Sequence, residues 1–342
     1  MIDFRYHLVS LIAVFLALAL GILLGAGPIN QPLGDQLTGQ VEELREDRDR
    51  LRTELEVSEV ERENRDQFLE EVAPATLGSR LEGRSVAVVV LPAANEDDVA
   101  DVRLRLEQAG ATVTGQVQVT EAWTDPATAT FRSSFAGQIL GYLDPAPEDG
   151  ADAGDILGTA LGQALTRGDV DGTPTTDAET LLELLVSADD PLVEVVEEPE
   201  QVANATVVVA PRSEATGPDE SPEPADVETR EQRLAEEVAL ARGIAATGEG
   251  TVVAGSAATE LDLVSALRAD SAAAEAVTTT DSVAELTGRL SVPMALAVDI
   301  SGEVGHYGVG AEATAPVPPA VYLPPPAVPE PEQDEAADED AA

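Results

Sequence analysis

The chain opens with an unbroken apolar run before its pattern becomes charged and helical. Residues 8–27 contain no charged side chain, and Ser10 is their only side-chain hydrogen-bonding group. Twenty helical residues rise about 30 Å, which matches the hydrocarbon core of a bilayer. The run is longer than the apolar core of most signal peptides, and Pro28 crowds the small residues that a signal peptidase would need. We therefore predict a retained transmembrane anchor within residues 1–33, with a cleaved signal peptide as the alternative.

The flanks of this run predict its orientation and one contact surface. Arg5 precedes the run, and the first basic residue after it is Arg45. Because basic residues favour the cytoplasmic side, we expect a single-pass protein of the plasma membrane or cell envelope. Its N-terminus would be cytoplasmic and its globular part extracytoplasmic. Gly21 and Gly25 form a G-x-x-x-G pattern, which permits close contact between two membrane helices.

Residues 34–73 follow a heptad pattern, which is typical of a coiled coil. Arginine interrupts one of the two apolar series, and charged residues fill the remaining positions. Because the seam matches itself, we expect a stalk that joins the chain to a second copy in a homo-oligomer. A single solvated helix is the alternative. The two series spaced by seven are Leu37, Leu44 and Leu51, and Val41, Arg48, Leu55, Arg62 and Leu69.

Between residues 83 and 311, β-branched runs alternate with amphipathic segments. Runs such as 84–91 are apolar throughout, which indicates strands covered on both faces. Alternating strands and helices predict an α/β domain with a mostly parallel, doubly wound sheet, built as one unit or as two halves, 83–200 and 201–311. We expect 74–83 to break the stalk helix. Predicted strands cover 84–91, 111–119, 192–196, 204–210 and 250–255, with a short edge strand at Val277. Predicted helices cover 96–109, 155–166, 178–187, 227–246, 259–268 and part of 282–297.

The composition excludes several classes of protein. The chain has 65 acidic residues, 19 arginines, no lysine and no cysteine, for a formal net charge of -46. No basic face can be built, which excludes nucleic acid as a partner. The absence of cysteine excludes disulfides, thiolate metal sites and a cysteine nucleophile. Residues 312–342 are rich in proline and acids, and we predict a disordered tail there.

The sequence contains no recognisable catalytic motif, and we expect no enzymatic activity. Gly255 and Ser256 precede a predicted helix, where an anion could bind. We prefer the interpretation that Ser256 or Thr259 caps this helix. Paired acids are expected on solvated surface, with weak binding of hard cations as the alternative. These pairs are Asp97–Asp98, Asp189–Asp190 and Glu197–Glu198.

One glycine-rich segment, residues 301–310, contains four glycines with a histidine and a tyrosine. Such glycine density requires special backbone geometry. Gly305, His306, Tyr307 and Gly308 are therefore candidates for a ligand-binding loop over a cleft. The alternative, which we prefer, is a tight turn in which Tyr307 packs.

Four segments together resemble the mycobacterial copper transport protein B family of actinobacteria. They are the opening MIDFRYHLVSLIAVFLALALGILLGAGPI, then GRSVAVVVLP, AGATVTGQVQVTEAW ending at Trp123, and GHYGVG. The resemblance implies an envelope protein of copper transport or homeostasis, described in that family as a channel. The resemblance assigns no catalytic residues to this chain.

The candidate copper ligands are few and dispersed. Copper(I) prefers thiolate and thioether ligands, and copper(II) prefers imidazole. The chain has no cysteine, and Met1, Met294, His7 and His306 are far apart in sequence. We therefore expect no resident copper cofactor and no metal site, although the resemblance implies copper. A non-enzymatic coiled-coil scaffold of the cell envelope is the alternative function, and an extracytoplasmic enzyme is the third. The sequence does not identify envelope partners.

Overall fold

The computed structural model describes residues 4–25, 31–147, 150–169, 171–187, 190–199, 201–213 and 224–325. The chain divides into two compact units, residues 1–67 and 68–342. The first unit is entirely helical in its described part. The second unit holds every described strand.

Helix α1 (Phe4–Gly25) is apolar on all sides. Its described side chains are exposed, and Phe15, for example, is 64% exposed. The segment Phe4–Leu23 has a mean hydropathy of 2.4, which is long and apolar enough to cross a membrane. A helix that is hydrophobic all round and uncovered by protein is best accommodated in lipid. The predicted apolar helix is therefore present, and its role as a membrane anchor stays a prediction.

Helix α2 (Gln31–Leu77) continues through Pro74, so the helix break predicted from 74 onward is wrong in position. Proline removes one backbone hydrogen bond and usually ends or kinks a helix. Here the last turn is held by burial, because Ala73 and Leu77 are in the core of the second unit. Gly78, at φ +52°, ends the helix, and its N–H donates to the Pro74 carbonyl at 3.0 Å. Pairing of α2 with a second copy stays a prediction.

Seven strands form one sheet in the order β3-β2-β1-β4-β5-β6-β7. All neighbouring strands are parallel except β3, which runs antiparallel to β2 at one edge. The predicted mostly parallel α/β fold is confirmed. The strands are β1 (Ser85–Val90), β2 (Thr112–Val119), β3 (Val193–Glu197), β4 (Ala205–Val209), β5 (Gly250–Ala254), β6 (Thr278–Thr280) and β7 (His306–Tyr307).

Helices cover both faces of the sheet. Alternate residues of β1 explain why: Ala87 and Val89 face one apolar core, and Val86 and Val88 face the other. Both sets are almost fully buried, as the continuous β-branched run predicts. The remaining helices are α3 (Glu96–Gln108), α4 (Glu121–Thr124), α5 (Ala129–Ile139), α6 (Ala153–Thr166), α7 (Thr176–Ser187), α8 (Pro224–Ala245), α9 (Leu263–Ala269), α10 (Ser271–Ala276) and α11 (Leu286–Ile300).

The structure differs from the sequence predictions at the far edge of the sheet. The strand expected near Val277 is β6, and it lies between β5 and β7 rather than at the edge. The glycine-rich segment supplies β7, which the sequence did not predict as a strand. Residues 83–200 contribute β1 to β3, and 201–311 contribute β4 to β7, to the same sheet.

Residues 312–325, predicted as the start of a disordered tail, instead lie against the domain. Arg80 donates to the Val321 carbonyl at 3.2 Å, and Arg84 donates to the Pro324 carbonyl at 3.1 Å. The Arg80 guanidinium also lies 5.2 Å from the centre of the Tyr322 ring. A proline-rich segment has few N–H donors but retains its carbonyls, which arginine can satisfy. The rest of the predicted tail lies outside the described residues.

Candidate functional site at the carboxyl ends of the strands

The strands are added to the sheet in opposite directions on the two sides of the β1–β4 pair. β1 is followed by β2 on one side, whereas β4 begins the series that extends to the other side. Ligands of doubly wound sheets bind in the crevice at the carboxyl ends of two such strands. A cavity of about 530 Å³ lies at this point. Its lining is Ala93, Ala94, Asn95, Glu96, Asp97, Arg212 and Ser213, and we call it the switch-point cleft.

The β1–α3 loop forms one wall of the cleft. Asn95 caps α3, and its side-chain oxygen accepts hydrogen bonds from the N–H groups of Asp97 (3.0 Å) and Asp98 (3.2 Å). Ala93 has a φ of 61°, an unusual value for a residue with a Cβ. Glu96 and Asp97 are exposed at the rim, so the mouth of the cleft is acidic.

A buried carboxylate anchors the opposite wall. Asp98 is 2% exposed, so its predicted position on solvated surface is wrong. It accepts two hydrogen bonds from Arg212 (2.5 and 2.6 Å) and one from Arg289 (3.1 Å). The hydrogen bond to Asp98 is also the main reason that the pKa of Arg212 is raised. The burial of the Asp98 carboxylate is tolerated because the two arginine cations compensate its charge. Arg212, whose side chain is 42% exposed, is thereby fixed at the cleft wall.

Two serines and an aspartate lie behind Arg212. Ser213 Oγ donates to Asp262 at 2.5 Å and shares a 2.6 Å hydrogen bond with Ser256 Oγ. The predicted cap is wrong in its residues, because α9 begins at Leu263 and Asp262 holds the N-cap position. The Asp262 carboxylate instead accepts from Ser213 and from the Thr259 N–H.

The other predicted acidic pairs are exposed where they are described. Asp190, Glu197 and Glu198 lie on the surface, and Asp189 lies outside the described residues. Glu197 pairs with Arg103 at 2.6 Å. In the described part of the chain, no three His, Asp or Glu side chains converge in a way that could hold a metal ion.

The glycine-rich segment places its histidine and tyrosine away from the switch-point cleft. His306 Nδ1 hydrogen bonds with Thr279 Oγ1 at 3.0 Å, and Nε2 lies 3.2 Å from the Ala274 carbonyl. Burial, together with the charge of Arg268, lowers the pKa of His306 and favours the neutral ring. A neutral ring can then accept from Thr279 and donate to Ala274. Both ring nitrogens therefore have partners within the protein.

The two glycines beside this pair fit close approaches of the chain. A Cβ at Gly305 would overlap the Tyr307 hydroxyl, and a Cβ at Gly308 would overlap the Asp281 carboxylate. Tyr307 is buried in the core formed with α3 and α11. Gly308 also has a φ of +131°, which favours glycine. The segment thus joins β7 to the buried Asp281.

Two further sets of candidate residues were singled out by sequence. Gly21 and Gly25 of α1 have open space where a side chain would begin, so their predicted helix–helix contact stays a prediction. Met294, the one methionine in the described residues, is buried in α11. The sequence missed the cleft itself, because Asp98, Arg212 and Arg289 come together only through tertiary structure. The helix cap at Asn95 was the available local signal.

The fold and these sites define an α/β protein with a long apolar N-terminal helix and a polar cleft at its topological switch point. The chain belongs to the family described as "Copper transport outer membrane protein, MctB", whose model matches residues 1–318. Proteins named "Copper transporter MctB" from Mycobacterium tuberculosis and Mycobacterium bovis are each 32% identical to it over 327 residues, or 91% of this chain and 97% of theirs. The protein of that name from Mycobacterium leprae is 30% identical over 327 residues, covering 92% and 98%.

Proposed function

We propose that this protein takes part in copper homeostasis in the cell envelope, where it handles copper as cargo and not as a resident cofactor. The observation that carries the proposal is the match of the copper transport family to residues 1–318, which include α1, α2 and the whole sheet. The relatives named copper transporters are covered over 97% or more of their length. We therefore attribute the copper role to α1, α2 and the α/β domain together.

The few copper-ligating residues of the chain support a role for copper as cargo and not as a bound cofactor. Copper sites use thiolate, thioether or imidazole ligands, and this chain has no cysteine, two methionines and two histidines. Met294 is buried, and both nitrogens of His306 have partners within the protein. Carboxylates remain as abundant but weak copper ligands.

We place the N-terminus in the cytoplasm and the α/β domain outside, held by α1. Arg5 before the span and the lack of any basic residue between it and Arg45 support this orientation. We further infer a non-enzymatic role in which the domain acts as a binding module through the switch-point cleft. Ser213 at the cleft bonds to Asp262 and to Ser256, while His306 is engaged by Thr279 and Ala274.

Deleting the gene from its native host tests the copper role. We expect lower copper tolerance and higher cell-associated copper, because export would be impaired, and both should return to normal on complementation. Tolerance to zinc serves as the control and should not change. Unchanged copper tolerance and unchanged copper content in the deletion strain would contradict the proposal.

A matched pair of arginine variants tests the role of the cleft. Arg212 and Arg167 have side chains that are 42% and 39% exposed, and each pairs with one aspartate. We expect Arg212→Gln to restore copper tolerance poorly and Arg167→Gln to restore it fully. Thermal unfolding of both purified variants separates loss of function from loss of fold. Full restoration by Arg212→Gln would exclude the cleft from the function.

A further inference from the structure

One face of α2 carries apolar side chains that nothing in the described protein covers. Val41, Leu44, Leu51 and Leu55 are between 44% and 67% exposed. They occupy a and d positions of a 3.5-residue repeat and lie along one side of the helix, where Arg48 at the intervening a position is the single interruption. Apolar side chains that recur on one side of a charged helix are a common site of helix association.

The charges beside this stripe are complementary to a second copy of the same helix. In a parallel pair that is in register, a g position faces the e position of the next heptad on the other helix. Asp47 is at g and Arg52 is at the following e, so each copy offers one acid and one base to the other. Within its own helix, Asp47 also pairs with Arg50 at 2.7 Å. Arg45 and Arg52, both at e, form no ion pair within the described chain, whereas Arg48 and Arg50 pair with acids of their own helix.

We propose that α2 binds α2 of a second copy, in parallel and in register, and that the pairing is confined to residues 41–55. The inference does not depend on the copper role. Two anchors in one bilayer fix the parallel direction and raise the local concentration of the helices. That increase compensates for a seam of only about two heptads, which is short for a coiled coil in water.

The C-terminal end of the paired segment is predicted from the next residues of the heptad repeat. Three successive a and d positions hold Ser58, Arg62 and Arg65, so no apolar core can form there, whereas 41–55 has a single interruption at Arg48. The g-to-e pairs there are like-charged, Glu54 against Glu59 and Glu61 against Asp66. Like charges at these positions repel. The two helices are therefore expected to separate after Leu55.

The absence of cysteine gives a clean cross-linking test in the full chain. Single substitutions Leu51→Cys and Val60→Cys are compared, since the native side chains are 57% and 55% exposed but only Leu51 lies on the seam. The full chain is reconstituted in liposomes at low protein density and treated with a mild oxidant. We expect Leu51→Cys to form disulfide-linked dimers at least about tenfold faster, because d side chains of a parallel pair come within disulfide reach. Equal rates, or none at either position, would overturn the pairing.

Two further variants test the boundary and the register. Arg65→Cys is also at a d position, and we expect it to cross-link as slowly as Val60→Cys. A rate equal to that of Leu51→Cys would overturn the end of pairing at Leu55. Adding Arg52→Glu to Leu51→Cys should slow cross-linking, and adding Asp47→Arg to that chain should restore it. No effect of the charge changes would overturn the proposed register, while circular dichroism checks that each variant keeps its helix.

Discussion

Asp281→Ala is expected to lower the free energy of unfolding of the α/β domain by about 3–5 kcal/mol, the usual cost of breaking a buried ion pair. Asp281 and Arg268 have side chains that are 2% and 0% exposed, and they are joined at 2.9 Å. The carboxylate also accepts from Ser282 Oγ (2.7 Å) and from the N–H groups of Val309 and Gly310 (both 2.9 Å). Burial alone would raise the pKa of Asp281, but these bonds together hold it below its ordinary value. Alanine leaves a buried cation and two N–H groups without that acceptor.

The unfolding can be followed through Trp123, the single tryptophan of the chain, which is fully buried in the domain. Denaturant titrations of the full chain with and without the substitution give the change in free energy. Glu197→Ala is the control, because its pair with Arg103 is at the surface and should contribute no more than about 1 kcal/mol. If Asp281→Ala lowered the free energy of unfolding by no more than Glu197→Ala does, the structural role of the Asp281 carboxylate would be refuted.

Gly243→Ala is expected to destabilise the domain by about 1–3 kcal/mol through overpacking between α6 and α8. A Cβ at Gly243 would lie 2.5 Å from the Thr159 nitrogen and 2.6 Å from the Asp155 carbonyl oxygen. Both are backbone atoms of a buried helix, so they cannot move aside as a flexible side chain could. On the α6 side, Gly158 is equally tight, with a Cβ only 2.6 Å from the Leu240 carbonyl oxygen.

Gly137→Ala is the matched control for this prediction. Gly137 lies within α5, is exposed, and has no atom within 4 Å of its Cβ position. The same substitution should therefore stabilise the domain slightly, by about 0.5–1 kcal/mol, through the higher helix propensity of alanine. Opposite signs for the two alanines, measured by Trp123 fluorescence, are the expected outcome. A neutral Gly243→Ala would mean that α6 and α8 can separate without cost.

The strongest local patterns in the sequence predicted the corresponding parts of the fold. An uncharged run of twenty residues can form few structures other than a membrane helix, and β1, β4 and β5 are apolar on both faces because the sheet is covered on both. Helices α4 and α5 were not predicted. The segment of Ala129–Ile139 has little amphipathic pattern, and its Arg132 is buried through a pair with Glu236 from α8. No local pattern contains that long-range pairing.

The site was harder to predict than the fold, for the same physical reason. Asp98 lies in the acidic first turn of α3, and such a turn is typical of a solvated surface. Its burial is possible only because Arg212 and Arg289 approach it. Residues 312–325 have the composition of a free tail, yet Arg80 and Arg84 bind their carbonyls. One signal was available: Gly154, Gly158 and Gly162 recur every four residues in α6, which indicates close helix packing.

Copper titration of the purified full chain tests the central claim most directly, namely that this member of a copper transport family does not hold copper as a cofactor. Copper(II) is added directly, and copper(I) is added in competition with a chelator. We expect only weak binding by carboxylates and no stoichiometric site, because the chain lacks cysteine and its few methionines and histidines are dispersed. Tight retention of one copper ion per chain, abolished by substituting His306 or Met294, would contradict the account.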